Sequence, residues 1–292
     1  MVRRSSVIAV VLALVAGPLG LGQGGAETSP QVSAAGAVSP EVAKLSETMK
    51  IAGVMDAMRA EGLDYAKTLE EQMFPGKGGA QWQTAVGLIY DPVTMRKGFD
   101  AALSAELASQ PEAVAKMAGF FGSELGQRIL ALELASRAAL MDEDTKEAAK
   151  VTVEDMTAEK DPRLQVYEAF EKTNDLIESN VAGGLNANLA FFHGMAEAGG
   201  FAQDMSEDEM LAEVWSQEAD VRAQSGEWLY SYMVLAYQPL SDADMAAYQA
   251  FSETSEGRIL NRATFVAFDR LFTAISHDLG RAAAQQMLAQ DI

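Results

Sequence analysis

The chain contains no cysteine and only two histidines among its 292 residues. Without cysteine there can be no thiolate nucleophile, no structural disulfide and no lipid attached to a cysteine at a processed N-terminus. Basic residues are also scarce, because 22 Lys and Arg stand against 42 Asp and Glu. Nucleic acids and anionic membrane surfaces are bound through clustered basic side chains. The composition therefore argues against both as partners.

The longest apolar run lies near the N-terminus and is too short to span a membrane. Residues 7–16 are all apolar, whereas a spanning helix needs about 20 such residues. The other features of a secretory signal peptide are Arg3 and Arg4 before the run, Gly17-Pro18 after it, and Gly24 and Ala26 at a cleavage site. We expect residues 1–26 to be removed on export to the periplasm, residues 27–39 to form a flexible leader, and residues 40–292 to form a helical domain without membrane insertion.

Signals for the start of a helix recur through the rest of the chain. Each is a Ser or Asp that precedes a proline, or a Ser that precedes an acid three residues later. These signals are Ser39-Pro40, Asp91-Pro92, Asp161-Pro162, Ser206 with Glu209, and Ser241 with Asp244. Apolar residues between them are spaced three or four apart, most clearly at Phe265, Phe268, Phe272, Ile275 and Leu279. The sequence therefore predicts an all-α fold, a multi-helix bundle of mostly antiparallel helices.

A weak internal repeat relates two parts of this bundle. A shift of 131 positions pairs Phe120 with Phe251 and Gly126 with Gly257. In both copies we predict a helix that ends near the Phe and a second helix that starts near the Gly. Residues 110–140 and 241–271 share four identities, and the shift is about half of the chain that remains after signal removal. The sequence thus predicts two weakly repeated helical halves.

Both halves carry one motif, which is an acidic capped helix ending in an aromatic residue, a small turn, and then a glycine followed by a polar residue. In the second half the motif comprises residues 239–245, Tyr248, Phe251, Thr254, Gly257 and Arg258, and in the first half residues 120–127. The motif resembles the domain of unknown function 2059 family, best over residues 206–289. Residues 180–192 and 275–281 also resemble longer secreted bacterial members. The resemblance implies an exported all-helical protein and implies no activity, because the family has none assigned.

The most unusual polar segment covers residues 180–188, where three asparagines lie beside a pair of glycines. Asparagine is a poor helix former, so this composition works against local helix. One interpretation is a buried polar clamp between packed helices, because buried amides need partners. The other is a groove for a small molecule or a peptide. The candidate groove residues are Asn180, Asn186, Asn188, His193, Trp215 and Gln217.

No catalytic motif is recognisable in the chain, and we predict no cofactor and no metal site. His193 and Glu197 can share a helix face, but two ligands do not make a metal site. Met49, Met55 and Met58 are soft copper ligands by type, although methionines in helical proteins more often fill cores. We therefore expect a periplasmic helical binding or interaction protein with an unidentified protein or small-molecule partner. The alternatives are a carboxylate-based hydrolase or lyase and, more weakly, a chaperone-like helper.

The signal peptide can be tested in cells. If residues 1–26 direct export, the protein recovered from the periplasmic fraction begins at Glu27, as read by N-terminal sequencing. A variant that lacks residues 7–16 should stay in the cytoplasm with its N-terminus intact. Recovery of the unshortened wild-type chain from the periplasm contradicts the prediction.

Overall fold

The computed structural model describes residues 38–201 and 205–289, and these residues form helices and turns with no β-strand. The predicted all-α bundle is thereby confirmed. The helices of the described residues are α1 (Pro40–Thr48), α2 (Ile51–Met73), α3 (Gly79–Ile89), α4 (Pro92–Leu107), α5 (Pro111–Phe121), α6 (Glu124–Ala139), α7 (Glu143–Glu159), α8 (Pro162–Asn174), α9 (Leu176–Glu197), α10 (Glu207–Ser216), α11 (Glu218–Tyr237), α12 (Asp242–Ser252) and α13 (Ser255–Leu288). The signal peptide and residues 27–37 of the leader lie outside the described residues. None of the described helices is long and apolar enough to cross a bilayer.

The predicted helix starts are confirmed by side-chain caps. Ser39, Asp91 and Asp161 each accept a hydrogen bond from a backbone N–H two or three residues later. Ser206 and Ser241 each form a complete capping box with the acid three residues on. A cap of this kind contributes about 1 kcal/mol to helix stability.

At least one pair of consecutive helices packs antiparallel, as the sequence predicts. The pair is α2–α3. The C-terminal end of α2 contacts the N-terminal end of α3, and the first half of α2 contacts the C-terminal end of α3. The Glu70 carboxylate accepts a hydrogen bond from the Gly78 N–H at 2.9 Å, and Arg59 donates to the Tyr90 carbonyl at 2.9 Å. The connection between Met73 and Gly79 is short, and short connections favour antiparallel packing of neighbouring helices.

The most extensive helix pair, α9 with α13, runs parallel instead. Asn186 bonds Asp269 near the middle of both helices, and Gly194 lies against His277 further along both. A β-carbon on Gly194 would lie 2.0 Å from the carbonyl oxygen of His277, and one on Gly280 would lie 2.1 Å from that of Phe191. The two backbones are therefore in direct contact, and only glycine fits at either position.

Residues 180–188 are helical throughout, although their composition works against helix. Asn180 and Asn188, two turns apart, lie on the buried side of α9, whereas Asn186 lies on the exposed side. Two small residues, Gly183 and Ala187, are buried on the same side of α9. Burial of this face against neighbouring helices outweighs a propensity penalty of a few tenths of a kcal/mol per residue.

The predicted apolar stripe of α13 is buried at four of its five positions. Phe268, Phe272, Ile275 and Leu279 are buried, and Phe265 is half-buried. Asp269 falls off this apolar stripe, which predicts a solvent-exposed carboxylate, but it is partly buried against α9 and accepts a hydrogen bond from Asn186 at 2.9 Å. Burial raises the pKa of the Asp269 carboxyl.

The two segments related by the sequence shift adopt the same local structure and meet each other. Helix α5 spans Pro111–Phe121 and α12 spans Asp242–Ser252, which differ by 131 positions at both ends. The Gly126 and Gly257 N–H groups donate to the hydroxyls of Ser123 and Thr254 at 3.1 and 2.9 Å. The rings of Phe120 and Phe251 stack with centroids 4.0 Å apart and planes 7° apart. The repeated unit is thus a capped corner between two helices.

The backbone contact between α9 and α13 predicts opposite effects for two glycine substitutions. Gly280→Ala should lower the free energy of unfolding by about 3 kcal/mol, because its β-carbon must push the helices apart. Gly98→Ala is the matched control, since Gly98 is an exposed residue of α4 with no atom within 4 Å of the added carbon. That change should raise stability by about 0.5–1 kcal/mol. Urea denaturation measures both, and equal effects would refute the close contact.

Candidate functional site

The structure brings two of the predicted groove residues together. Asn188 of α9 donates from Nδ2 to the Gln217 Oε1 at 3.0 Å, and both side chains are buried. Gln217 lies between α10 and α11, so this bond ties that junction to α9. The Nε2 of Gln217 is buried and has no hydrogen-bond partner within residues 38–201 and 205–289. The pair has the geometry of a polar clamp between helices.

The other four predicted groove residues point to different surroundings. Asn180 is buried and donates to the Leu176 carbonyl at 2.6 Å. Asn186 bonds Asp269 across to α13. His193 is half-exposed and lies 2.9 Å from the Glu207 carboxylate, while Trp215 is 65 % exposed. None of the six lines either of the two surface depressions that α8 borders, and the groove stays a prediction.

Helix α10 covers the side of α9 where that groove was expected. Met210 and Val214 of α10 form a small apolar cluster with Val181, Leu185 and Phe192 of α9. This cluster is separate from the main core. The chain therefore places its own helix on this face of α9.

A cleft of about 530 Å³ opens elsewhere, between α7, α8 and the end of α11. We call it the acidic cleft. Its floor is formed by Met156, Tyr167, Val234 and Leu240, and its rim by Asp155, Glu159, Asp161 and Asp242. The floor is apolar and, apart from half-buried Met156, buried. The exposed lining of the cleft is therefore more polar than apolar, and it combines negative charge with a small apolar area at Met156.

Two of the rim acids lack a partner within the described part of the chain. Asp155 and Glu159 lie four residues apart on one face of α7 and are exposed. Neither forms an ion pair or a hydrogen bond with its side chain among the described residues. Asp161 caps α8 by accepting from the Arg163 N–H at 2.7 Å, and Asp242 pairs with the Arg163 guanidinium. The unpaired charge of the rim therefore comes from α7.

Arg163 sets the shape of the acidic cleft. Its Nη2 donates to the carbonyls of Tyr237 and Leu240 at 2.9 and 2.7 Å, and its Nε donates to the Tyr167 hydroxyl at 3.3 Å. The guanidinium thereby caps the C-terminus of α11, where carbonyl groups lack helical partners. Fixing α11 to α8 in this way holds the floor and the rim together.

A second, more apolar groove of about 380 Å³ lies on the other side of Arg163, between α8 and α12. Its apolar lining is Pro162, Val166, Ala169 and Ala246. Arg163 and Asp242 line both depressions. The ion pair is therefore the wall between them.

A carboxyl group in the protein interior was not singled out as a site by the sequence. The Glu133 Oε1 accepts hydrogen bonds from the hydroxyls of Tyr237 at 2.8 Å and Tyr248 at 3.1 Å. The sequence spacing suggests an ion pair of Glu133 with Arg137, but Arg137 instead makes a bidentate contact with Glu61, at 2.7 Å for both bonds. Among the residues that the structure describes, Glu133 therefore has hydroxyl partners and no cation.

Burial raises the pKa of the Glu133 carboxyl to about 7, although the two tyrosine hydrogen bonds lower it. The residue as a whole is half-buried, but its carboxylate lies among the buried rings of Tyr232, Tyr237 and Tyr248. Burial and the nearby carboxylate also raise the pKa of these three phenols. The sequence offered no signal for this site, because the tyrosines come from distant helices.

The residues considered for metal binding are placed apart or in the core. Met49, Met55 and Met58 are all buried in the main core, where they fill space. His277 lies 3.2 Å from Glu197, whereas His193 pairs with Glu207. Among the described residues, no three His, Asp or Glu side chains are arranged to hold a metal ion.

No protein-family model, curated protein or solved structure matches the chain. The resemblance to the domain of unknown function 2059 family therefore stays a prediction that rests on the motifs alone.

The raised pKa of Glu133 predicts a pH-dependent stability. Between about pH 4.5 and 7 the folded carboxyl holds a proton that the unfolded one releases, so this group's contribution to stability falls as pH rises. Glu133→Gln keeps an oxygen that accepts from the tyrosines and cannot ionise. The free energy of unfolding of this variant, relative to wild type, should rise by about 1–2 kcal/mol from pH 5.5 to pH 8.

Chemical denaturation at several pH values measures this difference. Glu154→Gln, at an exposed position of α7, is the matched control and should show a difference that does not depend on pH. A flat difference for Glu133→Gln as well shows that the carboxyl is not perturbed.

Proposed function

We propose that the protein is a periplasmic helical binding module and that its acidic cleft takes a small organic cation. The observation that carries this proposal is the pair of unpaired carboxylates, Asp155 and Glu159, above an apolar floor. A ligand with an ammonium group and a short apolar stem matches both parts. The ammonium meets the rim, and the stem contacts the small apolar area that the cleft exposes, chiefly at Met156.

The charge of the whole chain supports the same class of ligand. The formal net charge is −20 at pH 7, which raises the local concentration of cations and speeds their association. Tyr167 lines the cleft but its ring is buried and lies under the Arg163 guanidinium, 5.6 Å from the ring centroid, so the rim carboxylates are the groups that attract an ammonium. Arg163 does not offer a free charge to an anion, because its guanidinium is engaged by Asp242, Tyr167 and two carbonyls.

A carboxylate-based enzyme is the second candidate function, and one observation favours it. A carboxyl group with a pKa of about 7, such as that of Glu133, is suited to general acid–base catalysis near neutral pH. Glu133 lines neither the acidic cleft nor the apolar groove, however. A substrate held in either depression would not contact it, so we favour the binding module.

The chaperone-like alternative requires exposed aromatic and methionine side chains. All twelve phenylalanines lie within the described residues, and each is buried or half-buried. The large apolar side chains that are exposed in the described part of the chain include one tryptophan, Trp215, and one methionine, Met141, but no phenylalanine. These observations give the alternative little support.

The cation proposal predicts a specific pattern of binding. Hexylammonium should bind the mature protein, whereas hexanoate, with a similar stem and opposite charge, should not. Methylammonium, which lacks the stem, should bind more weakly than hexylammonium. Isothermal titration calorimetry measures the affinities, and chemical shifts of the Tyr167 and Val234 amides report the location.

Substitution of the rim acids tests the site itself. The double variant Asp155→Asn with Glu159→Gln should weaken hexylammonium binding roughly tenfold, as expected for the loss of two partly exposed ion pairs. The control removes the same charge from the same helix at Glu147 and Glu154, which face Lys150, and should leave affinity nearly unchanged. Equal weakening in both variants indicates general charge attraction and overturns the site.

A further inference from the structure

The structural repeat extends beyond the two corners to six helices in each half of the chain. Helices α1–α6 correspond in order to α8–α13. A residue with left-handed backbone precedes the second helix of each half, Lys50 with φ 56° before α2 and Asp175 with φ 50° before α9. Helix α7 lies between the two halves in the chain and has no counterpart among the described residues.

The buried positions of corresponding helices coincide. All six buried residues of α4 correspond, at a shift of 130 positions, to buried residues of α11. All six of α2 correspond in the same way to buried residues of α9, at a shift of 125. The two of α3 correspond to the two of α10, at a shift of 128. Corresponding helices therefore turn the same faces towards the core.

In the second half, α7 covers an outer face of α11. Lys150 of α7 pairs with Glu227 of α11 at 3.1 Å. Further along, α7 borders the acidic cleft together with Val234 and Gln238 of α11. Ser231 lies between these residues and is 2 % exposed. The four α11 residues are spaced four, three and four apart, so they form one stripe along the helix.

The counterpart of this stripe on α4 is not covered by a helix of the described residues. At the shift of 130 it consists of Lys97, Ala101, Ser104 and Ala108. Lys97 and Ala108 are exposed, and Ala101 is half-buried where Ser231 is buried. Gly98 and Ala105, which flank the stripe, are exposed as well. We call these six residues the α4 face.

The charge of the α4 face specifies what can cover it. Lys97 takes the position of Glu227 and forms no ion pair among the described residues. Helix α7 of a second copy would bring Lys150 against this lysine, and like charges repel. Residues 1–37, which precede α1, contain a single acid, Glu27. A helix that carries Asp or Glu where α7 carries Lys150 is the complementary occupant.

We propose that the α4 face is the docking site for an acidic amphipathic helix of a partner protein. This helix lies along α4 as α7 lies along α11, and its carboxylate pairs with Lys97. The small side chains of Gly98, Ala101 and Ala105 allow the close approach of its apolar side, because the distance between packed helices depends on the side chains at the contact. The acidic cleft lies in the other half of the chain, so neither proposal depends on the outcome of the other.

Two peptides based on α7 test the proposal with the mature protein. Both span residues 143–159, and one of them carries Lys150→Glu. The net charge of −20 favours the unaltered peptide on general grounds, whereas the α4 face favours the Lys150→Glu peptide. We expect the Lys150→Glu peptide to bind roughly three times more tightly, as one exposed ion pair predicts. Titration followed by nuclear magnetic resonance measures the affinities, and shifts of the Lys97 and Ala101 amides report the location.

Three variants of the protein locate the contact. Lys97→Glu should reverse the preference, so that the unaltered peptide binds more tightly than the Lys150→Glu peptide. Lys67→Glu changes the same charge at an exposed position of α2 and is the matched control, which should keep the wild-type preference. Ala105→Trp places a bulky side chain on the α4 face and should abolish binding of both peptides.

The outcomes separate the possible occupants. A preference for the unaltered peptide in wild type and in Lys97→Glu alike reflects general charge attraction and overturns the docking site. The absence of shifts at the α4 amides also overturns it. If the peptides bind α4 only after residues 27–37 are removed, the chain's own leader covers the face, and a partner protein is the wrong occupant.

Discussion

The direct contact between the backbones of α9 and α13 is the constraint on which the rest of the structure depends. At Gly194 and Gly280 the carbonyl oxygens of the facing helix occupy the space where a β-carbon would lie. Close approach of this kind maximises dispersion contacts along both helices. Helix α13 has 34 residues and so extends about 50 Å at 1.5 Å per residue. It therefore provides one continuous surface against which the shorter helices are arranged.

Helix boundaries and caps are predictable from the sequence because their causes are local. Ser206 and its acid three residues later specify a helix start wherever that segment lies in the fold. The parallel direction of α9 and α13 cannot be predicted in this way. The same spacing of small residues along a helix would fit a parallel or an antiparallel neighbour. The repeated corners at Phe120 and Phe251 fall between these cases. Their local structure follows from the sequence, but the stacking of one ring on the other requires the tertiary fold.

Candidate sites were less predictable, because the partners of polar residues are set by tertiary contacts. Glu133 and Arg137 are spaced as an i,i+4 pair, yet the rigid guanidinium of Arg137 has a better bidentate partner in Glu61. Glu133 is then left with tyrosine hydroxyls and a raised pKa. Similarly, Asp155 and Glu159 resemble an ordinary solvated helix face in the sequence. Only the packing of α8 and α11 beside α7 turns that face into the rim of a cleft.

The scarcity of basic residues links the fold to its proposed function. The arginines that reach the interior are held by structural partners: Arg137 by Glu61, and Arg163 by the carbonyls that end α11. Arg222 is similarly shared by Glu178 and Glu218 at the surface. Because stabilising contacts engage these guanidinium groups, they are not placed to neutralise the acids of α7. The negative potential of the acidic cleft thus follows from where the fold needs its cations, and a ligand that supplies its own positive charge fits this arrangement.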